Sequence, residues 1–154
     1  MTKAPSATGK SLHLLKLCVG CDSVEDLVEW QAERTAERRA KGEDPRPFHV
    51  TRMWPKREAE IVAGGSLYWV IKGLALARQR ILGLERREGE DGISRCLIRL
   101  DPAVVRTLPQ PRRAFQGWRY LRPDDAPRDL TAVAGQAADL PPRLVAVLAV
   151  MGVL

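Results

Sequence analysis

Few of the residues that organise chemistry occur in this chain. Its 154 residues include two histidines and three cysteines. A small, odd cysteine count excludes the disulfide framework of a secreted mini-protein and points to reduced thiols in the cytoplasm. Long apolar stretches are also missing. The longest, Leu144 to Leu154, falls well short of the roughly 20 residues that cross a bilayer. Lys3 and Lys10 ahead of LHLLKLCVGC imitate an export signal, but His13 and Lys16 interrupt its apolar part. No internal repeat, HExxH string, nucleophile elbow or dinucleotide fingerprint is present. Thr8-Gly9-Lys10-Ser11 resembles the end of a phosphate-binding loop, yet Ala4 stands where that loop needs glycine. These absences lean against an enzyme of standard type and imply no cofactor and no metal site.

What is present is arginine. The chain carries a net charge of +6, and its cations are nineteen arginines against six lysines. Guanidinium groups favour planar, forked contacts with phosphates and stack on aromatic faces. At this length a single domain buries roughly 70% of its unfolded surface, and 45% hydrophobic residues suffice for a core. The expected organisation is a disordered tail over residues 1–11 followed by one domain over 12–154.

Hydrophobic patterning outlines that domain. Leu12 to Val19 reads as a buried strand ended by Gly20. Ser23, with Asp26 three residues on, starts a helix with Val24, Leu27, Val28 and Gln31 at helical spacing; it runs to about Lys41, before Gly42. Phe48 to Met53 is a short strand, and Pro55 opens a second helix ended by Gly64-Gly65. SLYWVIKG and ARQRILGLERRE read as strands, EGEDG as a hairpin turn, and GISRCLIRL as its return. A loop then leads to a last strand over Gly117 to Leu121, and Pro141-Pro142 opens a C-terminal helix. The fold class is α+β: a curved, mainly antiparallel sheet or small barrel, with two helices in the N-terminal half and one at the C-terminus.

Two segments combine cations with aromatics. PAVVRTLPQPRRAFQGWRYLRP, from Pro102 to Pro123, holds five arginines and three aromatics and no acidic residue. Arg112, Arg113, Arg119 and Arg122 suit phosphates, and Trp118 or Tyr120 suits stacking on bases. TRMWPKR, from Thr51, adds Lys56 and Arg57 at a helix start, and Lys72 follows the aromatic strand. A proline-bounded loop packed by Phe115 and Trp118 would have the same composition. Cys18 and Cys21 have the spacing of a metal or redox pair, but no second close pair accompanies them; the alternative is that Cys18 is a core residue and Cys21 a turn residue.

LHLLKLCVGCDSVEDLVEWQ, GGSLYWVIKG and RRAFQGWRYLRPDDAP together resemble an uncharacterised bacterial family classed as a domain of unknown function. The order PKREAEIVAGGSLYWVIKG, then RQRILGLE, is similar in architecture to PUA-like barrels, including the ASCH and EVE branches, which implies RNA as a ligand. The G-x-K-x-x-E-x-R string of the ASCH type is missing, so no pocket residue carries over. The expected function is a non-enzymatic nucleic-acid-binding domain that prefers RNA. The alternatives are a protein-interaction module or homodimer, and an enzyme acting on a nucleotide or phosphorylated metabolite. A deep pocket converging on His13 or His49 would favour the last.

Overall fold

A computed structural model of the chain describes residues 11–130. Its spine is one long strand, β4 (Leu74–Glu88), reached from β3 (Ser66–Ile71) through a tight turn at Lys72 and Gly73, both at positive φ. β3 runs along one edge of β4. The other edge is shared, with β5 (Ser94–Leu100) pairing the far half and β6 (Val105–Pro111) the near half. β1 (His13–Leu17) lies parallel to β3, and β7 (Trp118–Leu121) antiparallel to β1. β2 (Phe48–Thr51) closes the series on the outside of β5, giving the order β2-β5-β4-β3-β1-β7.

Irregularities in the β3–β4, β4–β5 and β4–β6 ladders bend this mixed sheet, as bulges do by adding local twist. The curl brings strands that are distant in the order face to face. His49 on β2 meets Trp69 on β3 edge-on, with ring centroids 5.7 Å apart. The end strands β7 and β2 share no ladder among the described residues, so the sheet is curved and open rather than a closed barrel.

Both faces of the sheet are covered, which is why all six residues of β3 are buried and why the strand reads as almost continuously apolar. Leu14, Leu67, Trp69, Ile81 and Ile98 point to the concave face and pack with Leu27 and Ile61. Leu27 belongs to α1 (Val24–Ala40) and Ile61 to α2 (Glu58–Val62). On the opposite face Leu15, Tyr68, Val70 and Leu121 pack with Phe115 and Ala126.

Local chemistry explains most boundaries. The Ser23 hydroxyl accepts from the Asp26 amide and caps α1, which buries only Val24, Leu27 and Gln31. Its second half is therefore the solvated, charge-patterned face expected. Gly65 is required by contact, since a Cβ there would lie 2.1 Å from the Leu12 carbonyl oxygen. α2 is shorter than expected, because Pro55 to Arg57 remain outside it.

One element departs from expectation. The stretch read as loop after Pro102 contains β6, with Pro109 and Pro111 inside the strand. Proline cannot donate to a ladder and is tolerated at an edge. The Arg112 amide donates to the Gly73 carbonyl, so alternation turns the ring nitrogen of Pro111 away from β4. Ser11, expected in the tail, is buried, and the rest of that tail lies outside the described residues. The expected C-terminal helix lies outside the described residues.

Candidate nucleic-acid interface

The two arginine-aromatic segments, more than sixty positions apart, dock on each other. The Trp118 indole N–H donates to the Met53 carbonyl at 2.8 Å. The Tyr120 hydroxyl accepts the Lys56 amide at 2.9 Å and the Arg57 amide at 3.4 Å. Those amides head a helix of one turn, and Tyr120 occupies the position an anion would need. The loop 52–57 is thereby fastened along β7, whose outer edge pairs with no other described strand.

The fastening separates the aromatic roles. Trp118 is buried and stacks edge-on with Tyr120 at 4.8 Å, so it holds the loop and offers no free face. Tyr120 and Trp54 are each 37% exposed, and Met53 is 50% exposed. Strand alternation also divides the cations. Lys56 and Arg57 lie with Tyr120 on the concave side of β7, and the Arg57 guanidinium sits 5.8 Å from the Tyr120 ring centre. Arg119 lies on the other side, 5.2 Å from the centre of the Phe115 ring. Arg112 is held by Gln110 and the Asp125 carbonyl. Its neighbour across the β3–β4 turn is Lys72, which reaches Asp22 at 3.6 Å. Lys56, Arg57 and Arg119 thus straddle β7 and Arg112 and Lys72 lie apart at the β3–β4 turn, so the expected cations do not share one face.

Along β7 and its docked loop, one of these cations is paired and the rest are not. Arg57 pairs with Glu60 at 2.6 Å. Arg52, Lys56, Arg113, Arg119 and Arg122 are exposed and form no salt bridge among the described residues. Exposed cations without carboxylate partners create a positive field that attracts polyanions.

Both histidines line cavities. His13 borders an open one with Tyr68, Arg78 and Asp129. Its Nδ1 accepts the Ser66 amide at 2.9 Å, which fixes the proton on Nε2. Burial, aided by the Arg78 charge, lowers its pKa to about 4. Arg78 is clamped by both oxygens of Asp129, at 2.8 and 2.7 Å. His49 borders a deeper cavity of about 460 Å³ with Lys16, Cys18, Cys21, Trp30 and Trp69. Burial, with the Lys16 charge, lowers its pKa to about 4 as well. The cysteine pair at that rim is reduced, and burial pushes the Cys18 thiol far above its ordinary value, with Cys21 contributing next. A protonated thiol is a poor nucleophile. Among the described residues no group of three or more metal-ligating side chains converges.

Sequence reasoning missed one polar group behind the cavity wall, where it holds the Trp69 ring. Gln79, fully buried on β4, accepts from the Trp69 indole at 2.9 Å and exchanges two 2.8 Å hydrogen bonds with Gln31. Its amide also donates to the Asp101 carbonyl. Gln31 on the apolar stripe of α1 was the available signal, because a buried amide needs partners.

A family model described as "Protein of unknown function (DUF1489)" matches residues 14–154. The chain belongs to the DUF1489 family. No curated protein and no solved structure matches it. The DUF1489 match spans every described strand and helix from Leu14 onward, and it brings no assigned activity to the edge of β7 or to either cavity. No described helix is long and apolar enough to cross a membrane.

Proposed function

We propose that this DUF1489 chain is a cytoplasmic, non-enzymatic module that binds single-stranded nucleic acid, with RNA preferred, along the free edge of β7. The observation that carries this reading is the docking of TRMWPKR on GWRYLRP, which unites two separate cationic-aromatic segments. Arg52, Lys56, Arg119 and Arg122 would hold phosphates, with Arg113, Arg112, Arg57 and Lys72 behind them. Tyr120 and Trp54 would stack on unpaired bases, a contact worth about 1–3 kcal/mol per base. Among the described residues the one long helix, α1, turns a face of mixed charge to solvent rather than a basic one, which favours unpaired strands over duplex DNA.

Titration of mixed-sequence single-stranded RNA across a salt series tests the proposal. Affinity should fall steeply with salt, because released counterions supply much of it. Replacing Arg52, Lys56, Arg119 and Arg122 by alanine should flatten the log–log salt slope by about 0.7 per contacted phosphate. Absence of binding at low salt, or an unchanged slope in the fourfold variant, refutes it.

The 460 Å³ cavity at His49 supports a second reading, in which the chain acts on a small ligand. Its volume lies within the range of about 300–1,000 Å³ usual for such sites. Both histidines stay neutral at pH 7 and so retain the capacity to accept a proton, but neither has a hydroxyl or carboxylate hydrogen-bonded to it.

A further inference from the structure

We propose that the cavity at the carboxyl ends of β1 and β3 receives one uncharged base of a bound strand while its phosphates stay on the cationic edge outside. This rests on the single-strand reading above and assigns the deeper site a ligand of its own.

The charges decide which part of a nucleotide enters. Asp26, Glu29 and Glu33 line the cavity against one cation, Lys16. Such a lining repels a phosphate and tolerates a neutral ring. The flanking surface has the opposite sign. Lys16 is paired in register with Trp118, whose indole is bonded to Met53. His49 lies three residues before Arg52 on the same strand and loop. The acidic hollow and the basic edge therefore meet at β7, the arrangement that separates a base from its backbone.

The walls suit a flat heterocycle. Trp69, Trp30 and His49 contribute ring surface, and Leu17 and Leu27 supply aliphatic packing. The polar groups include donors and acceptors, as a base edge requires. His49 Nε2 is sealed from solvent and has no hydrogen-bond partner among the described residues. A buried polar atom without a partner carries a desolvation cost that a correctly placed ligand atom removes. Lys16, half-buried, makes no salt bridge in the described region and adds a donor. The Trp69 indole N–H is already committed to Gln79, so its ring is held in one orientation.

Nucleosides test this directly, since they carry no phosphate for the edge to attract. Adenosine, guanosine, cytidine and uridine are each titrated into the ¹⁵N-labelled chain, and the four tryptophan indole signals are followed. At least one nucleoside should shift Trp69 and Trp30 but not Trp54, with an affinity that salt leaves unchanged. Lys16→Met and His49→Phe should each weaken it about tenfold, the equivalent of one lost hydrogen bond to a buried or charged group. The exposed substitution Glu33→Gln supplies a variant with no core to disturb and should weaken it about threefold. If single-stranded RNA binds but every nucleoside leaves Trp69 and Trp30 unmoved, or moves Trp54 alone, the base site is overturned and the edge reading stands. If nucleosides enter but RNA does not bind at low salt, the edge reading falls and the cavity assignment survives.

Discussion

Arg95 and Arg99 in the β4–β5 arm and the arginines along β7 have the same chemistry and opposite surroundings. In the arm, Arg95 pairs with Asp91 at 2.8 Å and Arg99 with Glu85 at 3.2 Å, and Arg78 further along β4 is clamped by Asp129 at 2.7 Å. Along β7, Arg119 and Arg122 meet no carboxylate among the described residues, and neither do Arg52 and Lys56 in the docked loop. The contrast teaches that net charge is a poor guide to a binding surface. Part of this chain's positive charge serves its own fold, and along β7 and its docked loop the cations other than Arg57 are left unpaired among the described residues.

The contrast can be broken in order of expected effect. The titratable groups beside the cations should respond most. His13 faces Arg78 and His49 faces Lys16, and both histidines are held neutral, with pKa lowered from 6.5 to about 4. The unfolded chain therefore takes up protons that the folded chain refuses between those values, so stability present above pH 6.5 is lost as pH falls towards 4. By pH 5 the loss should be about 2 kcal/mol per histidine. Urea unfolding at pH 7 and pH 5 measures it, and His49→Phe should remove about half of the difference. A difference unchanged in that variant would contradict the assigned burial.

Next in size is the clamp. Arg78→Leu strands Asp129 and the Ser66 hydroxyl, which its guanidinium also serves. The pair is about a quarter exposed, so the cost should be about 2 kcal/mol, below that of a fully buried pair. The smallest effect belongs to the edge. Arg119→Ala and Arg122→Ala should leave stability within about 0.5 kcal/mol of the parent while weakening RNA binding. Thermal unfolding beside binding separates the two kinds of arginine, and a strongly destabilised Arg122→Ala would erase the distinction.

How much of this was legible depends on where each signal resides. Ser23 with Asp26, the alternation in Gln79-Ile81-Gly83, and the β-rich SLYWVI are local, and each gave its element. β6 was hidden because Pro109 and Pro111 suppress a strand pattern that only an edge position excuses. The insertion of β1 between β3 and β7 leaves no local trace, and the open, curled form of the sheet follows from that order. At the candidate site both cationic segments could be named from composition. Their docking could not, because it depends on side chains bonding to distant backbone, and the burial of Trp118 is visible only once that bond is known. The His49 cavity carries no motif, since its walls come from β1, α1, β2 and β3 together.

The length of β4 has a consequence for the order of assembly. Its links to β3 and β5 span two and five residues, so this three-stranded meander closes at small entropic cost. β1 must find β3 across about fifty residues, and β7 must find β1 across about a hundred. Long closures come late in such chains. The central meander should therefore protect its amides first in pulsed hydrogen exchange, and equal protection of β7 in the same pulse would contradict this order. On a chain being synthesised, the free edge of β7 would exist only after Leu121 has emerged, which makes that edge the last part of the described sheet to take shape.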